Sequence, residues 1–121
     1  MGIVYTEVTL RNAFDIGNCK RGFIKEQEIR RTTVMAVIDT GAETLVINEK
    51  LRRQLGLELR GTKQVTLAND TKETVKVAES VEVHWKNQDM TCQPWVVSDS
   101  GALLGAIPLE DMDLIVDRQS P

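Results

Sequence analysis

Apolar and polar residues alternate along most of this chain, which is the period of a half-buried β-strand. From Ile3 to Leu10, the residues Val4, Thr6, Val8 and Leu10 share one face, and Ile3, Tyr5 and Glu7 share the other. Arg11 to Arg31 is polar and contains glycine, so it reads as a loop or a long hairpin excursion. Thr33 to Ile38 is nearly continuous in apolar residues and predicts a central strand buried on both faces. Asn48 to Leu55 predicts a helix: Asn48 can cap it, Leu51 and Leu55 share a face, and Gly56 supplies a left-handed stop. Leu57 to Arg60 follows as a short strand or connection.

Strand periodicity is clearest further on. Val65 and Leu67 alternate, Asn69 to Lys72 carries turn chemistry, and Val75, Val77, Val81, Val83 and Trp85 alternate again. Glu79 falls on the apolar side of this run and marks a bend where one strand leaves a layer and enters another. Asn87-Gln88-Asp89 predicts a turn and Met90 to Val97 a strand, with Pro94 pointing to a sheet edge. Pro108 suits the first position of a short helix through Met112, and Leu114 to Val116 reads as the last strand. The fold class is mainly β with one or two short helices.

At 121 residues the chain has room for one core and not two, so residues 1–121 read as a single domain. A hydrophobic share of 41% with 27% charged residues is ordinary for a globular protein. The net charge of −3 argues against nucleic acid or an anionic membrane as partner. Two distant cysteines, Cys19 and Cys92, and one histidine, His84, do not make a zinc site, so no metal is expected. The start of the chain lacks the basic-then-apolar form of a signal peptide, and two thiols suit a reducing compartment, so the expected location is cytoplasmic. A disulfide between the two cysteines stays open.

Chemistry enters at Val37-Ile38-Asp39-Thr40-Gly41-Ala42, where an aspartate ends an apolar strand and a Thr-Gly turn follows. The plain reading is a strand-end aspartate capping a turn. The sharper one is acid–base work, because a carboxylate at the edge of a core can hold an unusual protonation state. Peptide hydrolysis by carboxylates needs two of them, close enough that one keeps its proton. Asp99-Ser100-Gly101 could supply the second, but too little chain follows it to build another lobe, and Asp-Ser-Gly is common turn chemistry. The second carboxylate is then Asp39 of another copy, brought close on a two-fold axis.

Asp39 to Ala42, a hairpin tipped by Asn69 to Thr71, and Leu103-Leu104-Gly105 ahead of Pro108 occur in the order found in retropepsin-like aspartic proteases. The chain resembles that family from the Thr33 strand to about Val116, and Leu104 to Asp113 is most similar to its small stand-alone prokaryotic members. The resemblance implies a single-lobe acid-protease β-barrel that works as a homodimer on protein or peptide substrates, without cofactor. Asp39, Thr40 and Gly41 would form the catalytic turn, with Thr40 bonding across the dimer axis. Gly41, Ala42 and Glu43 would line the cleft and hold substrate backbone, under a flap tipped by Asn69, Asp70 and Thr71. Leu103, Leu104 and Gly105 would support the active-site loop from below. Three features depart from the pattern: the flap tip has no glycine, Ala106 follows Gly105 where lentiviral enzymes place arginine, and Arg11 to Arg31 has no retroviral counterpart. The alternative is a non-catalytic peptide-binding or dimerisation module on the same fold. His84 reads as a solvated strand residue, and Trp85 and Trp95 as core or interface anchors.

Overall fold

The computed structural model describes residues 3–39, 44–66, 69–97 and 101–105. Strand β1 (Tyr5–Asn12) is followed by helix α1 (Ala13–Lys20) and a 3-10 turn (Glu26–Glu28). Then come β2 (Arg31–Ile38), β3 (Val46–Asn48), helix α2 (Glu49–Leu55), β4 (Leu59–Thr66) and β5 (Lys72–Ala78). The remaining strands are β6 (Val81–Trp85), β7 (Gln88–Cys92), β8 (Trp95–Val97) and β9 (Ala102–Leu104). They hydrogen-bond in the order β4-β5-β8-β3-β9-β2-β1-β6-β7. The mainly-β, single-lobe expectation holds, with two short helices. Among the described residues no pairing joins β4 to β7, so the barrel is not closed.

The core forms where the alternation is strictest. Val8 and Leu10 of β1, Val81 and Val83 of β6, Ile47 of β3 and Leu104 of β9 are essentially inaccessible, together with Leu55 and Leu57 at and after the end of α2, and Leu51 is buried beside them. Helix α2 starts as its sequence predicts: Asn48 Oδ1 accepts the Leu51 N–H at 2.8 Å. It ends at Gly56, whose φ of +66° is left-handed and whose N–H reaches the Arg52 and Arg53 carbonyls. That backbone conformation is what favours glycine there, and a side chain would in addition have to displace the Arg30 guanidinium.

The structure corrects five expectations. The Arg11 to Arg31 stretch is indeed an excursion between antiparallel β1 and β2, but it opens with helix α1 rather than loop. Asn12 caps that helix, its Oδ1 accepting the Asp15 N–H at 3.0 Å. Strand β2 is central in its hydrogen bonding yet not buried on both faces. Val34, Ala36 and Ile38 turn to the core, while the pairs Tyr5–Val37, Glu7–Met35 and Thr9–Thr33 form the other face, where Met35 is 57% exposed. A continuous apolar run therefore does not mean two covered faces in this chain.

The Met90 to Val97 strand is two strands, β7 and β8, separated at Gln93-Pro94. Pro94 marks a crossing and not an edge, since it is fully buried and its carbonyl accepts the Ala78 N–H at 3.0 Å. The preceding turn is Lys86-Asn87, one residue earlier than Asn87-Gln88-Asp89, with Lys86 at φ +52°. Glu79 does stand at a bend: β5 lies between β4 and β8, whereas β6 lies between β1 and β7. The predicted Pro108 helix and the Leu114 to Val116 strand lie outside the described residues.

Candidate active site

Asp39 follows directly on β2, and two distant segments hold the backbone there. On one side the Ile38 N–H donates to the Val4 carbonyl at 2.9 Å, and on the other the Asp39 N–H donates to the Leu104 carbonyl at 3.0 Å. Strand β9 runs parallel to β2, with Ala102, Leu103 and Leu104 opposite Ala36, Val37 and Ile38. A short strand with few bonds of its own thus gains its position from the strand that carries Asp39. Leu104 is fully buried beneath this junction and Gly105 is buried next to it. Asp39 itself is half-buried, at the boundary of core and water.

Thr40, Gly41, Ala42 and Glu43 lie outside the described residues. The chain beyond them is anchored again. Thr44 and Leu45 are buried, and the Leu45 carbonyl accepts the Trp95 N–H at 3.0 Å before β3 pairs with β8. Asp39 and Leu45 are thus each held by a backbone hydrogen bond to another strand.

The candidate flap is the β4–β5 hairpin, paired from Leu59–Ala78 to Thr66–Lys72. Nearly all of β4 is exposed, as is β5 through Thr74, so the hairpin projects from the core. At its tip Asn69 Oδ1 accepts the Thr71 N–H at 3.2 Å and the Thr71 hydroxyl at 2.6 Å. Asp70 takes φ +67°, the left-handed value that Asp tolerates in turns. Asn69 and Thr71 thus close their own turn. In the sheet β8, β3 and β9 separate this hairpin from β2, so strand pairing brings Leu104 to Asp39 but not Asn69, Asp70 or Thr71.

The titratable groups with clear shifts serve the scaffold. Arg30 hydrogen-bonds the Asp15 carboxylate through Nε at 2.8 Å, Nη2 at 2.9 Å and its backbone N–H at 3.0 Å. The guanidinium hydrogen bonds hold the Asp15 carboxyl below the usual range against the opposing effect of burial. Glu49, in the first turn of α2, is lowered to about 2, chiefly by its hydrogen bonds from Arg52. Asn12 completes the Asp15 cluster by donating from Nδ2 to the Leu55 carbonyl at 2.8 Å. This cluster was missed in the sequence, though one signal was present: Asn12 followed at the third place by Asp15 is an N-terminal capping pattern.

The described helices include none long and apolar enough to cross a membrane. Among solved structures, a retropepsin-like aspartic protease from Rickettsia conorii is similar at 17% identity and a TM-score of 0.43, over 91% of this chain and 82% of that one. No curated protein matches. The profile described as aspartyl protease matches residues 26–107, a span that begins before β2, takes in Asp39 and the β4–β5 hairpin, and runs past β9. By that match the chain belongs to the aspartyl protease family.

Proposed function

We propose that this protein is an aspartic endopeptidase whose active site is completed by two copies of the chain, each supplying Asp39. The observation that carries the reading is the Asp39 to Leu104 hydrogen bond, which joins the Asp-Thr-Gly turn to the Leu-Leu-Gly strand. Family membership supports the chemistry, and the single lobe supports the need for a second copy. Ile3, Val4 and Tyr5 add to it: they run beside Ile38 and Asp39, yet are 69%, 57% and 58% exposed. An apolar strip of this kind, next to the candidate carboxylate, is suited to cover by another subunit.

In such a dimer the two Asp39 carboxylates share one proton, because two like charges at close range do not both ionise. The ionised carboxylate takes a proton from a water molecule, and the protonated one donates a hydrogen bond to the scissile carbonyl oxygen as charge develops there. The pair titrates as a unit. Thr40 would brace the two turns across the axis, Gly41, Ala42 and Glu43 would hold substrate backbone, and the β4–β5 hairpin would close over the peptide and exclude water.

The test is cleavage of a diverse peptide library from acidic to neutral pH, with Asp39→Asn in parallel. Cleavage lost by about a thousandfold or more in a folded Asp39→Asn protein is the expected result. Equal cleavage by both proteins would remove Asp39 from the chemistry. A peptide-holding module without turnover is the second reading, favoured by the glycine-free flap tip that Asn69 and Thr71 pin together. It predicts a dimer that binds peptides, cleaves none, and keeps its affinity in Asp39→Asn.

A further inference from the structure

At the other end of β1 from Asp39 lies a cleft of about 700 Å³, between the start of α1, the end of α2 and the β5–β6 bend. Tyr5, whose partner is Val37, and Asn12, which caps α1, are separated by about 23 Å at the rise of an extended strand. This cleft is therefore remote from the candidate catalytic edge.

Its walls are joined by backbone hydrogen bonds. The Glu79 N–H donates to the Glu58 carbonyl at 2.8 Å and the Ala13 N–H to the Ser80 carbonyl at 3.2 Å. Asn12 ties α1 to the end of α2, and Arg30 closes the floor against Gly56. A cleft already held in shape costs little ordering when something enters it. Phe14 forms one wall and is 73% exposed, with Ala13 and Leu57 continuing the apolar lining.

Charge decides what would fit. Arg30 lines the cleft, but its guanidinium is taken by Asp15. Glu58 and Glu79, joined through their backbones, are exposed and in no salt bridge among the described residues. Arg30 and the nearby Arg52 both feel Glu58, and each is already bonded to another carboxylate, Arg30 to Asp15 and Arg52 to Glu49. The rim is thus acidic beside an aromatic wall. Nucleic acid or an anionic membrane would be repelled by that rim.

We infer that this cleft is a docking site for a peptide segment of a protein partner, one that presents an apolar side chain flanked by lysine or arginine. The apolar side chain would lie against Phe14 and the basic groups would meet Glu58 and Glu79. The inference does not depend on catalysis at Asp39.

The test uses the full chain carrying Asp39→Asn, to prevent cleavage, and two fluorescein-labelled peptides. One has a pair of leucines flanked by lysines, and the other has glutamates in place of the lysines. Anisotropy should show the basic peptide binding at least about tenfold tighter. Phe14→Ser, and separately Glu58→Lys with Glu79→Lys, should each weaken it by about fivefold or more at unchanged melting temperature. Amide shift changes should centre on residues 12–15, 56–58 and 79–80. Equal affinity for the two peptides, affinity unmoved by both variants, or shifts centred on the Asp39 edge would each overturn the inference. So would self-association that Phe14→Ser abolishes without any peptide bound, since that would make the cleft a contact between copies.

Discussion

At the scale of single residues, position and not composition sets Asp39 apart. Its neighbours Val37 and Ile38 belong to a strand like others in the chain, but its N–H ends on Leu104, brought in from far along the sequence. Beyond that carbonyl, the Leu104 side chain is fully buried and apolar, so it contributes packing beneath the junction. Leu104→Ala should lower unfolding free energy by about 2–5 kcal/mol, read from urea midpoints, with turnover falling alongside. A variant as stable as the parent would mean the site does not rest on this side chain. The Asp-Thr-Gly and Leu-Leu-Gly elements could both be read in the sequence because each is local. Their contact could not, because it depends on a parallel pairing that no short-range pattern encodes. Asp70 shows the opposite case: its turn role was readable from Asn69 and Thr71 alone, and the structure places it there.

Among elements, the excursion between β1 and β2 departs most from its sequence reading. Helix α1 is short, contains Gly17 and presents Phe14 to water, so its amphipathic signal is poor. What holds it is polar: the Asn12 cap and the Asp15–Arg30 clamp. Such a clamp joins residues on both sides of a long loop and leaves no periodicity to detect. Asp15→Asn should cost about 2 kcal/mol at neutral pH, less than for a wholly buried pair because the Arg30 side chain is 50% exposed. The pH dependence has a definite sign. The Asp15 carboxyl is lowered in the folded state, so its contribution is present above the unfolded value near about pH 4 and is lost as pH falls through the folded one. Urea midpoints from about pH 6 down to about pH 3 should fall more steeply for the parent chain than for Asp15→Asn. Parallel profiles would show that the clamp carries no linkage. Strand β2 makes a related point: its apolar run predicted two covered faces, but Tyr5 and Met35, on the face they share with Val37, are more than half exposed. Periodicity reports which side chains are apolar, and the number of layers decides whether they are buried.

For the whole molecule, one mainly-β lobe offers one Asp-Thr-Gly aspartate, and the proposed chemistry needs two carboxylates. The exposed Ile3, Val4 and Tyr5 beside Asp39 indicate where a second copy would sit, and the acidic, aromatic-walled cleft lies at the far end of β1. Partner contact and substrate chemistry would then use opposite ends of the same strand. The mainly-β architecture was readable because alternation runs through most strands. The order of the strands in the sheet and the α1 excursion were not, since both arise from contacts between remote segments.

The most direct test of the central claim is subunit mixing. Parent protein and Asp39→Asn protein would be combined at a fixed total concentration, allowed to exchange protomers, and assayed on a peptide cleaved by the parent. If each active site needs Asp39 from both copies, activity follows the square of the parent fraction, so an equal mixture retains about a quarter of the parent rate. An equal mixture that retains about half, with activity linear in the parent fraction, would contradict the shared site and place the chemistry within one chain.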